Sequence, residues 1–324
     1  MKQNPFSIFH FLLATVALVG CATGGGSNGP VKVKEDKAAI ERSKGYFDGV
    51  DYGPARQVGT ICAVPAGSER MLSVTNGASK EWKEWTGRAN ACADKKDWRT
   101  LEQLGQVMAR VDLNSPWGAY YLSVAAEGRG DWARAMWMVD LAQKKAGGVN
   151  ALFAYQKGRI LLNAKETTKA MAEFERATSL SPAFGQAHLY LAQIYHRDME
   201  WSPAAKHYEA ALGIESGNVD AMVGLAEAKL QKGDAAGAAE LYSKAVGAQP
   251  SRGEAWIRLG FIYETLLKDN QQALNTYRGL KSSLEKSLVR ERPSFDLNQK
   301  IKALEETVKP SGRAQASVEK TEKD

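Results

Sequence analysis

Small and aromatic residues recur at a fixed interval through the second half of the chain. Three alanines lie 34 residues apart, a second alanine follows each of them seven residues later, and an aromatic residue precedes each second alanine by three. These three sets are Ala170, Ala204 and Ala238; Ala177, Ala211 and Ala245; and Phe174, Tyr208 and Tyr242. A period of this length is typical of stacked helix–turn–helix units, each of which buries its apolar face only against its neighbours.

Turn residues fall at matching places within this period. Gly130-Asp131 and Gly233-Asp234 stand where the first helix of a unit should end and the second should begin, because Gly stops a helix and Asp caps the next one. Pro182 and Pro250 follow the second helix, where a helix should stop. The pattern therefore predicts an all-α fold of paired helices.

The pattern resembles the tetratricopeptide repeat family. That family favours small residues at positions 8, 20 and 27, a Tyr at 11, an aromatic at 24 and a Pro at 32. Good units begin at Ala151, Gly185, Val219 and Gly253, a fair one begins at Pro116, and the weakest begins near Trp82. The last unit slips by one residue, to Ala273 and Tyr277. The resemblance implies an α-solenoid of five to six repeats over residues 79–293.

One further helix is predicted after the repeats, over residues 294–308. Its apolar stripe is Leu297, Ile301, Leu304 and Val308, and either Ser294 or Asp296 is placed to cap it. We expect it to cover the apolar end of the stack. The alternative is a free amphipathic helix at a membrane. Residues 309–324 are polar and charged, so we expect a disordered tail.

The start of the chain predicts export and lipid anchoring. Lys2 precedes an apolar run from Phe9 to Val19, which has the length of a signal-peptide core. Residues 18–21, Leu-Val-Gly-Cys, resemble the bacterial lipoprotein signal, in which Cys21 becomes the lipidated first residue and carries acyl chains such as palmitate. Residues 1–20 would be the signal peptide and residues 21–37 a flexible tether. Because Ala follows the Cys, the resemblance implies the periplasmic face of the outer membrane. An ordinary cleaved signal is the alternative.

Residues 38–78 give a weaker prediction, with a short helix over 38–50 and a small hairpin within 51–78. The two cysteines left after Cys21 are Cys62 and Cys92, which allow one disulfide in an oxidising compartment or two buried thiols. The formal net charge of +6 is spread along the chain, without the basic runs that predict nucleic-acid binding.

Ligand binding is expected on the first helices of the units, because the family lines its inner face with positions 2, 5, 9 and 12 of those helices. Positions 5 and 9 give a candidate groove with apolar ends and a polar centre, suited to an apolar-faced helix or an extended peptide. Its residues are Tyr120, Val124, Tyr155, Arg159, Leu189, Gln193, Val223, Glu227, Ile257 and Phe261. The alternative is that these side chains pack within the protein. Of the family's carboxylate-clamping residues only Arg159 is matched.

No catalytic residue, metal site or cofactor is predicted. His188, His196 and His207 fall in one unit but form no recognised ligand motif, and no phosphate-binding loop occurs. The Trp residues fit helix packing better than a sugar platform. We therefore expect a binding protein of the bacterial envelope that organises a pilus, secretion or motility complex. The alternatives are an adaptor for cell-wall hydrolases, a barrel-assembly component and, least favoured, an enzyme carried by residues 38–78.

Overall fold

A computed structural model describes Cys62, residues 80–290 and residues 292–308. These residues form thirteen α-helices and one π-helix, and the described ranges contain no strand. The helices are α1 (Lys80–Asp94), α2 (Trp98–Val111), α3 (Trp117–Gly128), α4 (Trp132–Lys145), α5 (Ala151–Asn163), α6 (Thr167–Leu180), α7 (Gly185–Arg197), α8 (Trp201–Ile214), α9 (Val219–Gln231), α10 (Ala235–Ala248), α11 (Gly253–Phe261), the π-helix (Ile262–Leu266), α12 (Asn270–Glu285) and α13 (Leu297–Val308).

The helices pair in sequence order, which confirms the predicted all-α repeat fold. Helices α1 to α12 form six successive pairs, and α13 stands alone after them. We call the first helix of each pair helix A and the second helix B. The alanines that set the 34-residue period are buried, with Ala170, Ala204 and Ala238 each 0% exposed. Small side chains at these points let the two helices of a pair approach closely, and the larger aromatic residues fill the space between pairs.

The predicted turns between helices A and B have the expected backbone. Gly130 and Gly233 adopt φ of +80° and +84°, a conformation that side chains with a Cβ rarely adopt. The next residue caps helix B in both turns, because Asp131 accepts a hydrogen bond from the amide of Arg134 and Asp234 accepts one from the amide of Gly237. The Gly-Asp pairs therefore start and stop helices as the sequence predicts.

A π-helix accounts for the one-residue slip in the last unit. The amide of Leu267 donates to the carbonyl of Ile262, five residues back, and this wider turn takes up one more residue than an α-helix does. The register therefore shifts after α11, and Ala273 and Tyr277 still reach buried positions, at 0% and 2% exposure. The inserted residue is accommodated in the π-helix, and the repeat residues of α12 still pack in the core.

The helix predicted after the repeats begins three residues later than expected, at Leu297. Asp296 is its cap, since one of its carboxylate oxygens accepts from the amides of Asn298 and Gln299. Ile301 and Leu304 are buried in a cluster with Tyr277 of α12. The helix thus covers the last pair, as its apolar stripe predicts.

Several predicted segments lie outside the described residues. These are the signal peptide, Cys21, the tether, the short helix at 38–50, all of the hairpin segment except Cys62, and the tail at 309–324. Among the described residues, no helix combines the length and the apolar character that crossing a membrane requires.

Candidate functional site: the surface of the A helices

The A helices of successive pairs are joined by direct side-chain contacts. Glu127 of α3 forms an ion pair with Arg159 of α5, at 3.0 Å. Tyr155 of α5 packs against Tyr190 of α7, with ring centroids 5.8 Å apart. Asp220 of α9 pairs with Arg252, which precedes α11. We call the surface formed by α3, α5, α7, α9 and α11 the A surface.

Three of the ten residues predicted to line this groove are buried instead. Tyr120, Val124 and Leu189 are only 8%, 5% and 8% exposed. Tyr120 packs edge-on against Trp117 and near Phe153, with centroids 5.9 and 6.0 Å apart. Each of the three is covered within the protein, which agrees with the alternative that these side chains pack internally, and their contact with a ligand stays a prediction. They form the floor beneath the A surface.

The other seven predicted residues retain exposed area, to different degrees. Gln193 and Phe261 are exposed, and the Phe261 ring keeps 47% of its surface. The remaining five are half-buried; they are Tyr155, Arg159, Val223, Glu227 and Ile257. A ligand on the A surface would therefore reach Gln193 and Phe261 most easily, near the middle and the C-terminal end of the described repeats.

The polar centre of the surface is an internal network around Glu127. The carboxylate of Glu127 is 3% exposed and pairs with Arg159. It also accepts hydrogen bonds from the amide groups of Gln156, at 2.8 Å, and Asn163, at 2.9 Å. Burial raises the pKa of Glu127, while Arg159 and the two amides act in the opposite direction. Arg159 is therefore largely committed to this carboxylate.

Sequence reasoning missed Glu127, although its position gave a signal. It stands at position 12 of the fair repeat that begins at Pro116, one of the positions assigned to the inner face. Gln156, which is fully buried, completes the network, and its Oε1 has no hydrogen-bond partner among the described residues. Glu127 and Gln156 face each other across neighbouring A helices. The sequence of a single repeat does not indicate this pairing, because the two residues belong to different repeats.

Arg159 also lies over an aromatic cluster. Its guanidinium carbon is 5.8 Å from the centre of the Tyr155 ring, within the range of a cation–π contact. The Tyr155 ring in turn meets Phe184 edge-on, with centroids 4.9 Å apart, and Tyr190 stacks on Phe174 at 4.9 Å. Burial raises the pKa of the Tyr155 hydroxyl, so this phenol stays neutral. The centre of the A surface is therefore a prepacked platform of rings with one cation on it.

Glu227 is held by the helix-B tyrosine of its own repeat. The hydroxyl of Tyr242 donates to Glu227 at 3.0 Å, and Gln231 donates to the same side chain at 3.1 Å. The next repeat has a similar bond, from Tyr277 to Glu264 at 3.2 Å, although Glu264 stands at position 12 of its repeat and Glu227 at position 9. Glu227 is thus oriented from behind while part of its side chain remains exposed. It is the predicted polar residue best placed to meet a charged group on a ligand.

The three histidines lie in one repeat, and two of them, His188 and His207, are in direct contact. Nδ1 of His188 lies 3.0 Å from Nδ1 of His207, and Nε2 of His188 lies 3.1 Å from the carbonyl oxygen of Pro182. The His207 ring stacks on Tyr195, while His196 packs edge-on against Trp201. Burial, and to a lesser extent His188 and Lys206, lowers the pKa of His207 to about 4. Within the described residues, no group of three or more His, Cys, Asp or Glu side chains is arranged to hold a metal ion.

Cys62 and Cys92 are joined by a disulfide in the structure, with their Cα atoms 4.7 Å apart. Cys92 is 0% exposed and belongs to the same core as Trp85 and Leu101. Of the two alternatives left open by the sequence, the structure contains the bridge. It ties the segment before the repeats to α1.

Comparison with known families identifies the repeats. Models of the tetratricopeptide repeat match residues 155–219 and residues 200–259. Residues 155–259 are therefore the part of the chain that matches known tetratricopeptide repeats. Repeats of this kind build extended surfaces that bind other proteins.

Solved structures with a similar fold include three repeat proteins. A crystal structure of MamA has 18% identity and a TM-score of 0.46, covering 51% of this chain and 96% of MamA. The C-terminal part of a repeat protein from Cytophaga hutchinsonii has 12% identity and a TM-score of 0.49, covering 61% and 79%. YrrB, described as having an unusual peptide-binding site, has 19% identity and a TM-score of 0.39, covering 53% and 88%. No curated protein sequence matches the chain.

Proposed function

We propose that the chain is a lipid-anchored protein of the bacterial envelope that binds a polypeptide segment of another envelope protein on its A surface. The observation that carries the binding proposal is the contrast along this surface. Its floor is packed and its polar centre is internally paired, yet Gln193 and Phe261 remain exposed and Glu227 is oriented by Tyr242. A surface that is already ordered and has a few accessible side chains can bind a partner without the entropic cost of becoming ordered on binding.

The expected partner is a segment with an apolar side chain that covers Phe261. Covering a large exposed ring with an apolar group stabilises the complex by about 25 cal/mol for each Å² of apolar surface removed from water. Val223 and Ile257 are half-buried A-helix residues of the last two repeats and would extend the apolar contact. Glu227 would fix the register by pairing with a polar or basic group.

Anchoring and export are supported by the sequence at Cys21 and by the disulfide. The Leu-Val-Gly-Cys sequence at 18–21 is the basis for the lipid anchor. A disulfide between Cys62 and Cys92 fits an oxidising compartment such as the periplasm. We place the protein at the periplasmic face of the outer membrane, where it would assemble parts of a pilus, secretion or motility complex.

The binding proposal is tested by crosslinking the full-length protein in cells and comparing variants. Phe261→Glu should reduce recovery of the crosslinked partner by about tenfold or more, because a charge is placed in the apolar contact. Trp137→Glu is the matched control, since Trp137 is 62% exposed on a helix B, outside the A surface. Equal recovery with Phe261→Glu and wild type, or equal loss with both variants, would refute the proposal.

The anchor is tested separately by Cys21→Ser. This variant should leave the membrane fraction, and metabolic labelling with a palmitate analogue should no longer mark the protein. A labelled or membrane-bound variant would show that another group or segment holds the protein at the membrane.

A further inference from the structure

A cleft opens at the C-terminal end of the described repeats, away from the residues of the A surface. Its volume is about 750 Å³, within the range of small-ligand sites. It lies between the end of α12, the loop that follows and the start of α13. The lining residues are Lys281, Leu284, Glu285, Ser287, Val289, Arg290, Arg292, Pro293, Phe295, Leu297 and Asn298.

The loop beside this cleft is fixed to α12 by backbone hydrogen bonds. The amides of Leu288 and Val289 both donate to the carbonyl of Ser283, at 2.9 and 3.2 Å. Val289 is consequently buried, at 4% exposure, while the adjacent Leu288 is 48% exposed. Phe295, on the far side of the loop, packs edge-on against Tyr277. The cleft is therefore a built feature of the last repeat and the final helix.

Cations predominate among the charged groups of the cleft. Lys281, Arg290 and Arg292 are exposed, and none of them forms an ion pair with a described residue. Glu285 is the one acid in the lining. From 281 to 292 the sequence carries four cations and two acids, the second acid being Glu291, which lies outside the described residues.

Two acids of neighbouring helices are already paired elsewhere. Glu305 of α13 pairs with Arg278 at 2.8 Å, and Glu264 of the π-helix pairs with Lys300 at 2.7 Å. Neither carboxylate is therefore free to neutralise the cations of the cleft. The lining itself carries three cations and one acid, and this excess of positive charge favours an anionic ligand.

Apolar side chains stand directly beside these cations. Leu284, Val289, Phe295 and Leu297 line the cleft, and Leu288 is exposed between Lys286 and Arg290. A free anion would contact the cations and leave this apolar surface exposed to water. A ligand that carries an anionic group on an apolar body would contact both the cations and the apolar side chains. An exposed apolar side chain flanked by Lys and Arg is also the combination that favours contact with an anionic membrane surface.

We propose that this cleft binds the phosphate headgroup of an anionic phospholipid, with Arg290, Arg292 and Lys281 around the phosphate and Leu288 entering the interface. This second membrane contact is independent of the lipid at Cys21 and of the polypeptide site on the A surface. It would hold the C-terminal end of the repeats at a bilayer surface.

Vesicle binding by the mature chain, residues 21–324 carrying Cys21→Ser, tests this proposal, because that form lacks both the acyl anchor and the apolar run of the signal peptide. The protein should co-sediment with vesicles of phosphatidylcholine and phosphatidylglycerol, and not with vesicles of phosphatidylcholine alone. Binding should weaken as salt is raised, since the contact is at the surface. Arg290→Glu combined with Arg292→Glu should weaken vesicle binding by about tenfold or more, because each cation near the surface contributes about 1 kcal/mol.

The matched control is Lys144→Glu combined with Lys232→Glu, which changes the net charge equally at two exposed positions outside the cleft. This pair should retain most of the vesicle binding, and Leu288→Asp should lose it. If both double variants lose vesicle binding equally, the effect comes from net charge alone, and the proposed site is wrong. Binding of inorganic phosphate without a preference for phosphatidylglycerol vesicles would overturn the phospholipid as its source. Circular dichroism of each variant checks that the fold is retained.

Discussion

At the scale of single residues, the ion pair between Glu127 and Arg159 is the most sensitive contact of the A surface. Glu127 is almost wholly buried, whereas Arg159 keeps 29% of its side chain exposed. Removing the arginine therefore leaves a buried carboxylate with only amide partners. Removing the carboxylate leaves a cation that can still reach water. The two substitutions should have unequal effects.

We expect Arg159→Met to lower the free energy of unfolding by about 3 kcal/mol, as removal of one partner from a buried pair does. The pKa of Glu127 is already raised by burial, and it should rise further without the cation. Protonation at low pH then relieves the buried charge, so the destabilisation should be larger at about pH 8 than at about pH 5. Urea denaturation at the two pH values measures both effects.

Arg197→Met is the control for this substitution, because Arg197 forms an exposed pair with Asp198 and should change stability by less than about 0.5 kcal/mol. Combining Arg159→Met with Glu127→Gln should recover most of the lost stability, since no buried charge remains. If Arg159→Met is as stable as wild type, Glu127 is not the buried anion described above.

His207 makes a separate prediction about acid stability. Its pKa is lowered to about 4 from an ordinary value near 6.5, so the unfolded chain binds a proton more readily than the folded one. Stability from this group is fully present above about pH 6.5 and is lost as the pH falls towards 4. His207→Asn should remove this loss, on the order of 1 kcal/mol after allowing for the partial exposure of the ring.

Thermal unfolding of both proteins between about pH 7 and pH 4.5 gives the comparison, and NMR titration gives the pKa directly. The groups that face the ring are His188, Lys206 and the stacked Tyr195. A pKa of His207 near 6.5 would show that burial, together with His188 and Lys206, does not hold the ring neutral.

At the scale of the helices, close contact between helices A and B depends on glycine. A Cβ built on Gly224 of α9 would lie 2.2 Å from a ring carbon of Tyr208 on α8. Gly224→Ala should therefore displace the ring and destabilise the protein by about 1–3 kcal/mol. Gly213→Ala, whose Cβ meets nothing within 4 Å, should stabilise α8 by up to about 1 kcal/mol. Chemical denaturation should show opposite signs for the two changes.

The helices themselves were predictable because their signals are local and repeated. The 34-residue period placed the pairs, the Gly-Asp turns placed their ends, and Asp296 was one of two caps proposed for the last helix. The slip after Gly253 was visible too, but its cause was not, because a π-helix is a matter of hydrogen bonding that residue types do not specify.

The candidate site was less predictable, because it depends on what packs over each residue. Tyr120 and Tyr155 occupy the same position of successive repeats, yet one is covered and the other is half-exposed. The Glu127 network joins two helices that are about thirty residues apart in sequence, and the C-terminal cleft depends on how a loop lies between α12 and α13. A repeat position gives the direction of a side chain, whereas its neighbours decide whether a ligand can reach it.

At the scale of the whole molecule, stability depends on covering the last repeat. Each pair of a repeat protein contacts mainly its neighbours, so an uncovered terminal face weakens the entire stack. Here α13 supplies that cover. Ile301 and Leu304 bury apolar surface against α12, and Lys300 pairs with Glu264.

Truncation after Asp296 should therefore expose Leu274 and Tyr277, which are 3% and 2% exposed in the full chain. Burying two large apolar side chains contributes about 3–6 kcal/mol, so the truncated protein should unfold at a clearly lower temperature and bind a hydrophobic dye. Truncation after Val308 removes only the polar tail and is the control, with a melting temperature close to that of the full chain. Equal melting temperatures for the two truncations would mean that α12 does not need α13. In that case the last helix would be available for a partner or for the membrane, which is the alternative that its amphipathic sequence also allows.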